Sequence, residues 1–168
     1  AERFGGALLG DGATLQHTRL FVRERALHVL SEAQRVAAFV AALDKSGGQA
    51  EGQAGGQAEA EECGLLEQLG GLMRASQRSC AHEYACSCPE LDALTSLLDG
   101  QAGVCGSRLT GAGWGGWCIA LVSAGAEAAV ASEVRAWQQQ QPCEEGSGEA
   151  PHVLVTTPGQ GACIIALQ

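Results

Sequence analysis

The chain is most distinctive at Gly106-Ser107-Arg108-Leu109-Thr110-Gly111-Ala112-Gly113-Trp114-Gly115-Gly116. Four glycines fall within the six residues 111–116, and so many glycines suit neither a helix nor a strand interior. Glycine permits positive φ values and lets a ligand approach the backbone, and successive exposed N–H groups in such a turn can bind an anion. The segment therefore predicts either a loop that binds phosphate or a phosphorylated sugar, or a tight turn without a ligand.

Two familiar nucleotide-binding motifs fit this segment poorly. The pattern Gly111-x-Gly113-x-x-Gly116 matches the dinucleotide fingerprint, but that fingerprint must follow a strand and open a helix. Here the next residues, Trp117–Val122, form a short apolar run that is typical of a buried strand. A P-loop is excluded as well, because no Gly-Lys-Ser/Thr sequence follows.

Helical spacing dominates the chain before the glycine-rich segment. It predicts a long amphipathic helix over Thr18–Leu43, a second helix over Glu61–Cys80 and a third helix that begins at Pro89 and ends at Gly100. Arginines and Glu32 occupy the other faces of the first helix. Its apolar side consists of Val22, Ala26, Val29, Leu30, Ala33, Val36, Ala37, Val40 and Leu43.

After the glycine-rich segment, the pattern predicts one more helix and a second pair of strands. Helical spacing returns over Ala126–Gln139, and a polar loop follows up to Pro151. Two apolar runs, His152–Thr157 and Ala162–Leu167, flank a Pro/Gly turn and predict a hairpin. The order of helices, strand pair, helix and strand pair indicates an α+β fold, an antiparallel sheet packed with helices.

The length of 168 residues corresponds to one domain, which we expect to span residues 18–168 after a poorly defined segment, 1–17. That first segment lacks the basic-then-apolar plan of a signal peptide. Residues 47–60 contain only Gly, Gln, Ala and Glu, with Gly-Gly-Gln-Ala-Glu present twice. Such a composition buries too little apolar surface to offset its ordering entropy, so it predicts a flexible insertion between two helices, partly helical at most.

Composition narrows the classes of partner and cofactor. A formal net charge of −9 with one lysine argues against nucleic acid and against an anionic membrane surface. No run of 18 apolar residues is present, which argues against a membrane span. Eight cysteines invite a zinc hypothesis, but Cys86-Ser87-Cys88 has a single intervening residue, whereas structural zinc sites use wider spacing. Reduced thiols of a cytosolic protein, without a metal, are the favoured interpretation.

Two charged residues carry alternative roles. Arg108 has the geometry to bind a phosphate, or it forms an ion pair with an acidic helix residue such as Glu90 or Asp92. We favour the ion pair, because the glycine-rich backbone is the better ligand candidate. His28 and Glu32 are one helical turn apart and are candidates for a weak exposed pair.

Several motifs together resemble a known family. They are the blocks Arg25–Val36, Leu72–Cys80, Tyr84–Leu94, Gly106–Gly116 and Thr156–Ala162. In these blocks, which keep the family's order from about Leu20 to the end, the chain resembles eukaryotic galactokinases and N-acetylgalactosamine kinases, members of the GHMP kinase superfamily. Gln77 stands where the family usually has a histidine, Trp117 replaces a small residue, and the 47–60 insertion is atypical.

This resemblance implies the ferredoxin-like C-terminal domain of an ATP-dependent, Mg²⁺-dependent and cytoplasmic kinase, which phosphorylates the anomeric hydroxyl of galactose or a related sugar. Gly106–Gly116 matches the glycine-rich motif that lies near substrate and nucleotide phosphates in the family. No residue of this chain matches the family's sugar-binding signature, nucleotide loop or catalytic aspartate, which belong to an N-terminal kinase domain. We therefore assign no catalytic or metal-binding residue and expect the chain alone to be inactive. A non-catalytic sugar- or nucleotide-binding relative is the alternative.

Overall fold

A computed structural model of the chain describes residues 21–47, 56–141 and 152–157. Residues 1–20 lie outside this description. They include the predicted N-terminal segment 1–17 and the start of the first predicted helix. A short π-helical turn, Cys80–Tyr84, continues the second helix. The regular elements in chain order are α1 (Val22–Gly47), α2 (Gly56–Ser79), α3 (Pro89–Asp99), β1 (Val104–Thr110), β2 (Trp117–Val122) and α4 (Glu127–Gln139).

The two strands form an antiparallel sheet with helices on both faces, so the predicted α+β class is confirmed. Pairing runs from Thr110 opposite Trp117 back to Gly106 opposite Leu121, and a bulge follows before Val104. Side chains alternate between the two faces of a strand. Ser107 accordingly points to α3, where it donates a hydrogen bond to Asp99.

Backbone touches backbone where α2 crosses β1. A β-carbon on Gly70 would overlap the Cys105 carbonyl, and a β-carbon on Gly106 would overlap the backbone of Gly70. The Arg74 guanidinium also donates a hydrogen bond to the Cys105 carbonyl. These contacts seat the helix on the strand without an intervening side chain, because glycine lacks a β-carbon.

Most of the buried apolar residues of the described chain form two small clusters. The first consists of Cys80, Cys86, Leu91 and Leu109 and lies where α2 ends and α3 begins. The second consists of Leu98, Val130 and Val134 and joins α3 and α4 to the sheet.

The second helix begins earlier than predicted, at Gly56 instead of Glu61, and the first helix extends to Gly47. Residues 47 and 56–60 therefore do not belong to a loop, since the Ala, Gln and Glu at 57–60 favour helix and outweigh the glycine that precedes them. Residues 48–55 lie outside the description, and for them the flexible insertion stays a prediction.

The predicted C-terminal hairpin is not seen in the residues that can be compared. Residues 152–157 form no strand: Val153 packs against the second cluster, whereas Leu154 is 76% exposed. This segment pairs with no strand among the described residues. An apolar run forms a strand only where another strand pairs with it. The second predicted strand, 162–167, lies outside the description.

The orientation of α1 reverses the usual arrangement of an amphipathic helix. All nine residues of its predicted apolar side are exposed, and it packs on α2 with the neighbouring side, which carries His28 and Glu32. Among the described residues, α1 is also the one helix long and apolar enough to cross a membrane, with a mean hydropathy of 1.2 over Val22–Lys45. Length and hydropathy alone are weak criteria, because core helices of soluble proteins also satisfy them.

Candidate functional site

The glycine-rich turn joins β1 to β2 and is shorter than the sequence suggested. Of the predicted loop Gly106–Gly116, the first five residues belong to β1, where Ser107 and Leu109 are buried. The turn itself is 111–116. Alternating burial explains the difference, since a residue pattern that faces the core at every second position is stabilised as a strand.

Most of the turn adopts positive φ. The φ values are 86° at Gly111 and Gly113, 134° at Gly115 and 91° at Gly116, while Trp114 has φ 54°. Glycine reaches these conformations without the penalty that a β-carbon brings, so the local sequence and the local backbone agree. Trp114 is the exception and requires contacts from elsewhere to hold it there.

Those contacts come from the segment between the π-helical turn and α3. The Trp114 N–H donates to the Cys86 carbonyl at 2.6 Å, and the indole Nε1–H donates to the Ala85 carbonyl at 3.1 Å. Ala85 itself has φ 58°, which turns the chain out of the preceding helix. Gly113 lies against the Cys86 carbonyl so closely that a β-carbon would overlap it. The turn is therefore bonded to the segment that precedes α3.

The remaining glycines of the turn face open space. A β-carbon built on Gly111, Gly115 or Gly116 meets no atom within 4 Å. These positions require glycine for backbone conformation and not for packing. The backbone of the turn is therefore accessible to a ligand at these three positions, which an anion-binding turn requires.

The nearby N-terminus of α3 already carries carboxylates of its own. Pro89 begins the helix, and Glu90 and Asp92 lie in its first turn. A hydrogen bond from the backbone of Glu90, together with one from Cys88, holds the pKa of the exposed Glu90 below its ordinary value. Ser87 Oγ donates to Asp92 Oδ1 at 2.6 Å. Since these acids offset the positive end of the helix dipole, the turn is the better place for an anion.

Gln77 connects three elements beneath the turn. Its side chain is buried, and its Nε2 donates to Asp92 Oδ1 at 3.1 Å and to Ser87 Oγ at 3.3 Å. Its Oε1 accepts the N–H of Leu109 at 2.8 Å. The amide thus ties α2 to the start of α3 and to the last buried residue of β1. In the sequence, Gln77 stands out only as a departure from a family pattern, and no local pattern would reveal this role.

Arg108 is an ion-pair residue, as we favoured, but its partner is neither Glu90 nor Asp92. Its Nη1 donates to Glu32 Oε1 at 2.7 Å, and its Nε donates to the Leu109 carbonyl at 3.0 Å. Arg108 belongs to β1 and points to the α1 side of the sheet, whereas α3 lies on the other side. The strand alternation therefore makes the predicted partners unreachable.

Glu32 gathers the polar contacts between α1, α2 and the sheet. It accepts hydrogen bonds from Ser76 Oγ at 2.7 and 2.8 Å and from Arg35 Nε at 2.8 Å, in addition to the ion pair with Arg108. Burial alone would raise the pKa of Glu32, but the hydrogen bonds from Ser76 and Arg35 and the charge of Arg108 outweigh it, and the pKa is lowered. Glu32 is thus occupied, and His28 bonds to Ser79 Oγ at 2.8 Å instead of pairing with Glu32.

Four cysteines pack together below the turn. Cys80 and Cys86 are buried, and Cys88 and Cys118 pack against them. Burial raises the pKa of Cys80 to about 11 and that of Cys118 to about 11, so both are protonated thiols near neutral pH. All six cysteines in the described residues are free, and no group of three His, Cys, Asp or Glu there is arranged to hold a metal.

Comparison with known proteins identifies the class of domain. Residues 58–139 match the family described as "GHMP kinases C terminal". A crystal structure of Lactococcus lactis galactokinase complexed with galactose resembles the chain with a TM-score of 0.53 and 30% identity, and the match covers 75% of this chain and 28% of that one. The fold of the chain thus resembles that of a GHMP kinase C-terminal domain.

The particular relatives are galactokinases. The chain is 42% identical to the Dictyostelium discoideum galactokinase over 113 residues, which is 67% of this chain and 22% of the relative. It is 33% identical to the Saccharomyces cerevisiae galactokinase over 151 residues, which is 86% of this chain and 26% of the relative. The chain is therefore similar to the C-terminal part of a galactokinase-like sugar kinase and spans about a quarter of the length of these curated relatives.

Proposed function

We propose that the chain works as the C-terminal domain of a cytoplasmic, ATP-dependent kinase that transfers a phosphoryl group to the anomeric hydroxyl of galactose or a related sugar. An N-terminal kinase domain is its partner in this proposal and supplies the catalytic base and most of the ATP and Mg²⁺ contacts. The similarity to galactokinases favours this function over a non-catalytic sugar- or nucleotide-binding relative. The proposed function involves neither a membrane nor a nucleic acid as a partner.

The observation that carries the proposal is the geometry of the turn 111–116. All four glycines have positive φ, three of them face open space, and Trp114 bonds the turn to the segment that precedes α3. Phosphoryl transfer depends on positioned donors that stabilise charge on the transferred group, with little covalent chemistry from the protein. A rigid turn of backbone donors is suited to that task, and the rest of the predicted loop, Gly106–Thr110, supports it as a strand.

Fixed donors matter because small displacements are costly in such a reaction. A shift of about 1 Å in a positioning group lowers a rate by roughly a hundredfold. The ties from Trp114 to Ala85 and Cys86 hold the turn at its anchored end. Gly111, Gly115 and Gly116 then leave the other side open for substrate or nucleotide phosphate.

The test is a chimera in which this chain replaces the similar C-terminal part of the Dictyostelium discoideum galactokinase. We expect ATP-dependent phosphorylation of galactose by the chimera and none by the 168-residue chain alone. In the chimera, Gly115→Ala should lower kcat/KM strongly, because the open turn must shift to relieve its φ of 134°. Gly64→Ala is the matched control, since Gly64 lies in α2 with open space around it.

Two results would contradict the proposal. Full activity of the Gly115→Ala chimera with normal stability would show that the turn is a structural connection without a role in catalysis. Phosphorylation of galactose by the isolated chain would show that the residues assigned to the N-terminal domain are not needed.

A further inference from the structure

The first helix directs its apolar side away from the rest of the domain. Every member of this side is exposed, and the larger side chains are between 44% and 67% exposed. An exposed apolar patch of more than a few hundred Å² usually marks an interaction site. We call this patch the α1 stripe, and it consists of Val22, Ala26, Val29, Leu30, Ala33, Val36, Ala37, Val40 and Leu43.

Directional contacts on the neighbouring side of α1 fix this orientation. Arg25 donates to the Glu83 carbonyl, His28 bonds to Ser79, and Glu32 accepts from Ser76 and pairs with Arg108. Rotation of α1 to bury the stripe would break all of these bonds and leave charged groups without partners, which is unfavourable. The outward stripe is thus a stable property of this packing.

The stripe continues into an open groove between α1, α2 and β2. Val36 and Val40 belong to both, and the groove has a volume of about 350 Å³. Its apolar lining includes Phe39 from α1, Met73 from α2 and Ile119 from β2, and the polar cluster of Glu32, Arg35, Ser76 and Arg108 lines it as well. Ile119 is 53% exposed although it lies on the α1 side of the sheet. The groove therefore offers exposed apolar side chains from both helix and sheet next to a group of charges that already pair with one another.

We infer that the α1 stripe and this groove are the surface on which the N-terminal kinase domain docks. The inference rests on the function proposed above and adds where the two parts meet. The galactokinases that this chain resembles are about four times as long as the part that it matches. In those proteins, the similar domain therefore has a large neighbour within the same polypeptide.

The expected partner surface is apolar and aliphatic, because the stripe contains only Ala, Val and Leu. Exposed polar residues border it, including Arg23 and Gln34, as at the rim of a protein interface. A second copy of the chain and a lipid surface are the other occupants that the test distinguishes.

The chimera described above provides the experiment, with thermal unfolding as the readout. The double change Val29→Glu and Val36→Glu should leave the unfolding of the isolated chain nearly unchanged, because both side chains are exposed there. In the chimera, the same change should lower Tm by about 5 °C or more, since it places charges in an apolar interface. Ser132→Glu, on the exposed side of α4, is the matched control and should affect neither protein.

Hydroxyl-radical footprinting tests the surface without relying on a variant. Oxidation of Val29, Leu30, Val36 and Val40 should be several-fold lower in the chimera than in the isolated chain at equal radical dose. Both readouts are independent of catalysis. An inactive chimera with a protected stripe would support this surface and contradict the proposed activity, whereas an active chimera with an open stripe would do the reverse.

Three outcomes overturn the inference. The first is equal oxidation of the stripe in both proteins together with equal effects of the two glutamates. The second is a dimer of the isolated chain in light scattering that becomes a monomer with Val29→Glu and Val36→Glu. The third is sedimentation of the chain with phosphatidylcholine vesicles that the two glutamates abolish.

Discussion

Glu32 on α1 and Arg108 on β1 form an ion pair of 2.7 Å across 76 positions of sequence. Both side chains are mostly buried, with exposed fractions of 21% and 31%, and Ser76 and Arg35 complete the hydrogen bonding of the carboxylate. This pair joins the outermost helix to the strand that leads into the glycine-rich turn. It is one of few polar links between α1 and the sheet in the described residues.

We expect Glu32→Gln to lower the free energy of unfolding by roughly 1–2 kcal/mol at pH 7, because Arg108 would lose its charged partner but remain partly solvated. The pKa of Glu32 is lower in the folded protein than its ordinary 4.5. Its contribution to stability is therefore complete above about pH 4.5 and is lost as the pH falls through the folded value. Urea denaturation between pH 3 and pH 7 should show this difference between the two proteins. Glu133→Gln on the exposed side of α4 should show none.

Gly113→Ala should destabilise the protein more than Gly111→Ala. Both glycines have φ 86°, so both changes carry the same backbone strain, on the order of 1–2 kcal/mol. At Gly113 the new methyl group would also overlap the Cys86 carbonyl, whereas at Gly111 it would meet open space. Equilibrium unfolding of the two variants isolates the overlap. Equal losses would mean that the turn moves away from Cys86 at no cost.

The contact between Gly113 and the Cys86 carbonyl also affects the interpretation of a Gly113→Val variant. From sequence alone, this substitution is expected to impair catalysis while the fold absorbs it. The overlap with Cys86 shows that it would disturb packing as well, so Gly115 is the better position for an activity test.

Gln77→Leu should cost roughly 1–3 kcal/mol of stability, since it removes the acceptor for the buried N–H of Leu109 and one donor to Asp92. The two side chains have similar volume, so lost hydrogen bonds and not a cavity would dominate the effect. Gln68→Leu, an exposed position on the same helix, is the control. Amide hydrogen exchange at Leu109 gives an independent measurement, and unchanged protection there would rule out this role for Gln77.

Cys80 and Cys118 should resist alkylation in the native protein. Burial raises the pKa of each thiol to about 11, so the reactive thiolate is scarce at pH 7 and increases about tenfold with each pH unit up to that value. Mass spectrometry after brief treatment with iodoacetamide should find Cys63 modified first, because it is exposed on α2. In urea the three should react at similar rates. Fast native modification of Cys118 would contradict its burial.

Local signals predicted the elements whose stability is local. Pro89 at the start of α3 and the apolar run Trp117–Val122 gave boundaries that the structure confirms. The π-helical turn Cys80–Tyr84 and the left-handed Ala85 were missed, because Trp114 holds this backbone through bonds to Ala85 and Cys86 from 28 or more positions away. Propensity carries no information about such partners.

The candidate site shows the same division. Glycine content located the turn 111–116, because positive φ leaves a direct trace in sequence. No sequence pattern identifies the supporting residues Gln77 and Glu32. Each is an ordinary helical residue whose role depends on which strand lies opposite. The outward direction of α1 was also beyond reach, since periodicity identifies an apolar side but not the surface that covers it.

Finally, the contact between Gly70 and Gly106 restricts how this domain could change. In most cores a larger residue on one element can be offset by a smaller one opposite. Here both positions already hold the smallest residue, so an alanine at Gly70 would have no rescuing substitution at Gly106. Pairs of compensating substitutions therefore cannot change the distance between α2 and the sheet. The hydrogen bond between Gln77 and Leu109 depends on the same distance, so its geometry is fixed as well.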